Sequence, residues 1–559
     1  MGSRIHLYAL PGLPIHVDDL MPQPMLARCS GTLVAQGHSV LIIDEGSVDC
    51  LDAACCPALN HALADHLDHV EGRLEGWAGR FSSRERHLRR AVDRFRGERV
   101  ARVIARHAAA PPDLALIQIH RPKDVADARL LAQGLKERHP GLVVAVAGEF
   151  VENFARLLLH GSAEFDAACL ESPESVLTGL ARSLAAREQW ASVSGLLFRD
   201  GARLVEGAGG ALQIDPRFSS ADYHPARYPG LLDGGKIKLF TLPQTTGHAH
   251  RGHYRGGSPP RKRVVRECRQ LRSDLEQLHR LYGAEIFHVS GSHTPAEMVQ
   301  GFASECLGLP FSIRYSRDAH VHELGADAVH ALSVSGCEAV GLTLLTGSQW
   351  TLSDYYGENW TISEAETCLR HIRSHGLYVH TTFTFPCPVD DYHTRAETFR
   401  IVRRNRPDGI RLSLPTLAPG SAWFQHASEF NFDLSLKKLE AWVCNPPFTA
   451  NLRDEAASLP FQIGSLRATG VAGRCAEASA ELAELEIAEV AGAAVALMAR
   501  VSGYAGHESE YTRTLEDAAL RLDLGHLREA IELFNVRATA SINTIDLFPA
   551  VPVKKVVGN

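Results

Sequence analysis

Among its 12 cysteines the 559-residue chain has no C-x-x-C pair and no C-x-x-x-C-x-x-C run, and its only close pair is Cys55-Cys56. No metal-ligand set can be read from such spacing, and in a reducing compartment the thiols are expected to stay mostly free. Positive charge is in deficit too, with 58 Lys and Arg against 65 Asp and Glu for a formal net charge of -7. No overall basic field therefore favours nucleic acid or anionic lipid. The one basic run, Arg261-Lys262-Arg263 with Arg266 and Arg269, opens a helical pattern and reads as a solvated helix face. Long apolar runs are missing as well, and the amino terminus lacks the charged-then-apolar pattern of a leader. The most apolar late stretch, residues 490–498, is flanked by Glu486, Glu489 and Arg500 and reads as a buried helix. These absences predict a cytoplasmic protein with neither nucleic acid nor membrane as partner. Whether it forms a homo-oligomer or works beside a partner enzyme stays open.

What is present is a folding composition, 45% apolar and 22% charged, on a chain too long for one core. Apolar runs at residues 4–10, 39–44, 114–120, 142–147 and 165–170 alternate with helical patterns at 26–36, 124–138 and 153–160. Strands apolar over most of their length and separated by helices predict a doubly wound parallel sheet. Residues 61–108 form a long charged helical region, expected to cover that sheet as a surface helix pair. Residues 193–204 fit a hairpin turning at Asp200-Gly201. A second alternating series runs through 237–242, 286–289, 311–315, 339–345, 378–385 and 409–414 and predicts a full or partial parallel βα barrel. The remainder, from about 424, is helical in pattern. The predicted organisation is an α/β sheet domain (1–205), a Gly- and Pro-rich linker (206–235), a barrel (236–423) and a helical carboxyl-terminal region (424–559).

The loop after the first barrel strand reads Thr245-Thr246-Gly247-His248-Ala249-His250-Arg251-Gly252-His253-Tyr254-Arg255. His248, His250 and His253 are candidate ligands for a mononuclear zinc, copper or iron. His248 or His253 could instead act as a general base. Arg251 and Arg255 suit a substrate carboxylate or phosphate.

The order of segments resembles the cobalamin-dependent radical S-adenosylmethionine enzymes over residues 1–423. The likeness is carried by GTLVAQGHSVLIID (31–44), PDLALIQIH (112–120), GLKERHPGLVVAVAGE (134–149) and GLLFRDGARLV (195–205) in the first domain. In the second it is carried by SRD (316–318), SGCEAVGLTLLTGSQ (335–349), FTFPCPVDD (383–391) and APGS (418–421). The resemblance implies a Rossmann-like cobalamin domain followed by a radical-enzyme barrel. It implies corrin contacts from Pro11, Gly12 and Leu13, from Gln118 and His120, from Gly148 and Glu149, and from Glu171. It also assigns Arg255, Ser290, Arg317 and Thr346 to the substrate or S-adenosylmethionine region. At the three positions where that family carries cluster-binding cysteines, this chain has His248, Gly252 and Arg255. Glycine has no ligating side chain and arginine stays protonated, so an iron–sulfur cluster is not expected. Where the family reads GIESGSQ, this chain reads TLLTGSQ, with Leu345 for the acid and Thr346 for the serine. S-adenosylmethionine therefore stays open as a cosubstrate.

Three functions follow from a degenerate member of that family. The leading one is a cobalamin enzyme acting by non-radical chemistry, with methyl transfer to a small molecule or natural product and with His248, His253 and Arg251 as catalytic residues. The second is a barrel turned to mononuclear metal chemistry on its histidine loop. The third is a non-catalytic cobalamin-binding or accessory protein.

Overall fold

The computed structural model describes residues 2–71, 83–107, 110–208, 220–246, 252–254, 263–291, 293–490 and 492–540. The first sheet contains β1 (Arg4–Ala9), β2 (Ser39–Asp44), β3 (Leu114–Gln118), β4 (Val143–Ala147), β5 (Ala167–Cys169), β6 (Leu196–Asp200) and β7 (Arg203–Glu206). Its order is β2-β1-β3-β4-β5-β6-β7, parallel through β5 and closed by the antiparallel hairpin β6–β7. Strands such as Ile5–Ala9 and Leu114–Ile117 are buried on both faces, as a sheet covered by helices on both sides requires. In this order the winding of successive strands reverses between β1 and β3, which opens a crevice at their carboxyl ends.

The two-residue strands β9 (Thr245–Thr246) and β10 (Val264–Val265) pair with each other and follow β8 (Phe240–Pro243). β8 joins β11 (Ile286–Ser290), β12 (Arg314–Ala319), β13 (Cys337–Leu345), β14 (Tyr378–Thr384) and β15 (Gly409–Ser413) in a second sheet, parallel throughout. Its outer strands do not pair among the described residues, so the barrel is partial. Each strand's inward face alternates with its outward face, which turns Thr241, His288, Asp318, Gly341 and His380 to one side.

Three particulars depart from the sequence reading. The barrel sheet does not end at 423: the late strand β18 (Ala488–Glu489) adds to β15, while β16 (Phe432–Leu434) and β17 (Phe461–Ile463) form a ribbon of their own. The strand expected at 311–315 lies instead at Arg314–Ala319. The described part of the expected linker, 220–235, is pinned down. Tyr223, Tyr228 and Leu231 are core residues, Tyr228 hydrogen-bonds Asp44, and Ile42 N–H donates to Arg227 C=O at 2.7 Å. The charged region 61–108, read from sequence as a helix pair, contains two helices, Pro57–Glu71 and Ser83–Arg106.

A second core joins the ends of the chain. Leu13, Ile15, Val17, Leu20 and Met21 pack with residues of helices Ala493–Val501, Glu508–Arg521 and Leu524–Ala540. Asn535 adds polar bonds, accepting from Lys238 N–H at 2.9 Å and donating to Lys236 C=O at 2.8 Å. The carboxyl-terminal helices thereby close the space between the two sheets.

Candidate functional site

Between the two sheets lies a cavity of about 1370 Å³, partly open to solvent, larger than the roughly 300–1,000 Å³ typical of small-ligand pockets. One wall is the carboxyl edge of the first sheet: the loop after β1, then Gln118 to Asp124, Gly148 and Glu149, and Glu171 to Glu174. The other is the inside of the partial barrel, with Thr241, His288, Ser290, Asp318, His380 and Arg411. Glu455, Glu489 and Glu516 complete it from the carboxyl-terminal region.

The loop after β1 is held by charge. Lys123 donates to the carbonyls of Gly12 (3.0 Å) and Pro14 (2.8 Å) and pairs with Asp19, while Arg121 pairs with Asp18. Asp124 accepts from the N–H of Gly12 (2.9 Å) and of Arg121 (2.9 Å). Burial opposes charge on Asp18 and Asp19, but the two cations outweigh it and hold both carboxyls below their ordinary range. Gly12 is obligatory, since a Cβ there would lie 2.0 Å from the Lys123 carbonyl. Gly148, at φ +129, has the same role where β4 turns into its helix, with a Cβ falling 2.4 Å from the Ile119 carbonyl. His16, which lines the cavity from this loop, is kept neutral, first by burial and then by Lys123 and Arg121, which bring its pKa down to about 3.

Inside the barrel, His288 Nε2 meets Asp318 Oδ2 at 3.2 Å and its Nδ1 meets Ser316 Oγ at 2.9 Å. Burial would raise the Asp318 carboxyl, but His288 overrides it and the net shift is downward. The Asp318 side chain is 46% accessible, and that access is to the cavity. Gly341 makes room for it, because a Cβ there would lie 2.8 Å from Asp318 Oδ1. His380 is lowered to about 4, mainly by burial, and hydrogen-bonds the Val490 carbonyl at 3.1 Å. On the opposite side burial raises Glu455 and Glu489, and it lifts Glu516 to about 7 against the pull of Arg411.

Of the residues singled out from sequence, Pro11, Gln118, His120, Gly148, Glu149, Glu171 and Ser290 line the cavity. Leu13 is instead buried in the core shared with the carboxyl-terminal helices, and Gly12 faces the Lys123 backbone. Arg317 is fully buried beside Gln244, and Thr346 packs on Thr398 at 3.4 Å. His248, His250, Arg251 and Arg255 lie outside the described residues. His253 is placed away from the cavity. Its N–H donates to Tyr356 C=O at 2.8 Å, its Nδ1 is 3.0 Å from Tyr355 C=O, and its ring packs on Phe430. A side chain at Gly252 would lie 2.4 Å from the Tyr254 ring, which is itself set against Tyr356 and Trp423. No three His, Cys, Asp or Glu side chains among the described residues are grouped to hold a metal, and all twelve cysteines are described.

The sequence reading did not select His16, Asp318, Arg411 or Glu516. A polar residue inside an otherwise apolar strand was the available signal for His288, whereas Asp318 lies in the largely polar strand RYSRDA and carried none.

The residues present suit a corrin at the β1/β3 crevice. Gln118 Nε2 donates to Gln23 Oε1 at 2.8 Å, and this leaves Gln118 Oε1 buried with no partner, an acceptor matched to an amide-bearing macrocycle. Neither a protein-family model nor a curated protein matches the chain. Its fold is similar to that of several solved structures. One is the radical S-adenosylmethionine methyltransferase TsrM from Kitasatospora setae with cobalamin and a 4Fe-4S cluster bound, 13% identical over 74% of this chain and 75% of that one, TM-score 0.55. The same enzyme with tryptophan substrate and aza-SAM matches at 14% identity over 75% of each chain, TM-score 0.54. A third is the cobalamin-dependent S-adenosylmethionine radical enzyme OxsB with aqua-cobalamin and S-adenosylmethionine bound, 10% identical over 97% of this chain and 80% of that one, TM-score 0.56. The chain thus has the fold of the cobalamin-dependent radical S-adenosylmethionine enzymes, a Rossmann-like sheet followed by a partial barrel.

Proposed function

We propose that the chain is an enzyme that holds cobalamin between its two sheets and transfers a methyl group, drawn from S-adenosylmethionine by polar displacement, to a small molecule seated in the barrel. The observation that carries this reading is the single cavity running from the β1/β3 crevice into the barrel interior. A cofactor on one wall and a substrate on the other would meet there without crossing solvent, and much of the rate would come from their fixed proximity.

Pro11, Gln118, His120, Glu149 and Glu171 would hold the corrin. Bound cobalamin supplies a cobalt centre whose chemistry includes polar methyl-group transfer. Inside the barrel, Asp318 presents a carboxylate to the cavity with His288 fixing its second oxygen. This pair is suited to take the proton that an N–H or O–H nucleophile sheds on methylation. Arg411 offers a guanidinium for an anionic part of the substrate. Loss of the radical function is supported by the loop, where His248, Gly252 and Arg255 replace thiolates and the Gly252 position has no space for a longer side chain.

The test is anaerobic reconstitution with cobalamin, iron, sulfide and S-adenosylmethionine. Stoichiometric corrin retained through gel filtration, no four-iron signal and no 5'-deoxyadenosine is the expected result. A four-iron signal with 5'-deoxyadenosine release would refute the non-radical reading. Retained corrin without turnover of any nucleophile tested would reduce the chain to a binding protein.

A further inference from the structure

Charge is divided unevenly over the cavity. On the first-sheet wall each guanidinium has its acid, Arg28 with Glu174 and Arg121 with Asp18. On the barrel side the balance fails. Asp318, Glu455, Glu489 and Glu516 line the space, and Arg411 is the one Lys or Arg lining it there among the described residues. The Arg411 charge works against burial on both Glu455 and Glu516, while Glu489 and Glu455 both add to the burial that raises the Cys475 thiol. The three glutamates therefore share one corner. A single guanidinium can answer one of them, and if it takes an anionic part of the substrate it answers none.

His380 gives an independent sign from within the barrel. It is 4% exposed, and its ring lines this cavity. Its Nε2 lies 3.1 Å from the Val490 carbonyl, which can only accept, so Nε2 carries the proton and Nδ1 is left as an acceptor. Nδ1 has no hydrogen-bond partner among the described residues. Burial, and after it Arg411, lowers the ring's pKa to about 4, so it stays neutral and Nδ1 does not become a donor. A buried acceptor without a partner, on a ring that lines open space, is matched by the N–H of a ligand. Burial also raises Glu455, Glu489 and Glu516, and a cation seated among them would restore their charge.

We infer that the small molecule in the barrel carries a protonated amine or guanidine, received by Glu455, Glu489, Glu516 and His380 Nδ1 as a recognition handle. A protonated nitrogen has no lone pair to attack with, so the handle is a different group from the nucleophile that faces Asp318. Its part in catalysis rests on the methyl-transfer reading, whereas the cation site itself does not.

The full chain, loaded with hydroxocobalamin and passed through gel filtration, is titrated in a calorimeter with three probes of matched length: cadaverine, pentanediol and glutarate. Cadaverine is expected to saturate the protein and to bind about tenfold or more tightly than either of the others. E455Q and E516Q should each weaken it about tenfold, the loss of one charge-assisted hydrogen bond. In protein labelled with 15N-histidine the His380 Nδ1 resonance, identified by its absence in H380Q, should move with cadaverine and not with pentanediol. A merely structural role for the ring would leave that resonance unmoved. Failure of cadaverine to saturate, tighter binding of glutarate, cadaverine affinity unchanged in both glutamate variants, or a stationary Nδ1 resonance at saturation each overturns the assignment. Protein that sheds its corrin on the column removes the cofactor reading, and the same titration on it still decides the cation site.

Discussion

At Asp318 two opposing effects meet on one carboxyl group. Burial disfavours its charge, and the His288 ring at 3.2 Å favours it and wins, so the folded-state pKa is below the unfolded value. The linked stability is therefore present above the unfolded carboxyl pKa and is lost as pH falls through the lowered one. Replacing His288 by Asn removes the strongest influence that lowers the carboxyl and leaves only His380 and Arg317 against burial. Asp318 should then titrate higher than in the wild type, which carbon-detected NMR of the carboxyl resonance would read. A downward shift that persisted in the variant would mean that His288 is not its cause. The seat of the same carboxylate depends on what is missing at Gly341. Gly341→Ala places a Cβ 2.8 Å from Asp318 Oδ1 and 3.5 Å from Ala493 Cβ. In urea unfolding it should cost less than the roughly 1–3 kcal/mol of overpacking in a filled core, because the Asp318 carboxylate can move into the cavity it faces. An unchanged midpoint would show that the carboxylate swings freely in the cavity.

Between elements, the buried pair Arg28–Glu174 joins helix Pro24–Ala35, which follows β1, to helix Pro173–Arg182, which follows β5. Burial raises Glu174, but Arg28 and the Ser172 hydroxyl outweigh it, so the carboxyl stays ionised below its ordinary range. Glu174→Gln strands the Arg28 charge, and breaking such a pair costs about 3–5 kcal/mol. The loss should appear at neutral pH and fade under acid, where the wild-type carboxyl is protonated too, so denaturation midpoints at both pH values check it. Neither partner of this pair was legible in the sequence, because 146 positions separate them and only the folded sheet brings them together. What was legible is local. Runs such as Val40–Ile43 and Val143–Ala147 are apolar enough to declare buried strands, and the helices between them follow from their caps and periods. The two-residue strand Ala488–Glu489 carries no such signal and exists only because β15 offers it an edge. The candidate site divides in the same way. Gln118, Gly148 and Glu149 end apolar strands and could be placed on the working edge, whereas Leu13 follows a strand just as closely but is drawn into a core made by helices nearly 500 residues away. His253 shows the limit of motif logic, since its loop aligns with a cluster-binding loop while its ring is occupied by the Tyr355 carbonyl and Phe430.

Across the whole molecule, the cavity is where three parts of the chain impose their charges on one another. Glu516, on the late helix Glu508–Arg521, is influenced both by Asp18 of the first domain and by Arg411 of the barrel. Burial and the like charge of Asp18 exceed the help from Arg411, and the carboxyl titrates at about 7. A folded-state pKa above the unfolded one reverses the sign found for Asp318. The stabilising contribution is complete below the unfolded carboxyl pKa, near 4.3 for glutamate, and it is lost as pH rises through about 7. Glu516→Gln keeps the shape of the protonated acid and cannot ionise. Its thermal midpoint should therefore match wild type near pH 4 and exceed it at pH 8, with the gap opening between those values. Arg411→Gln should act oppositely, removing the only favourable charge in this balance and widening the wild-type decline toward alkaline pH. Parallel midpoint curves for wild type and E516Q would mean that the helix carrying Glu516 stands clear of the cavity in solution, and that the carboxyl-terminal helices do not close the space between the sheets.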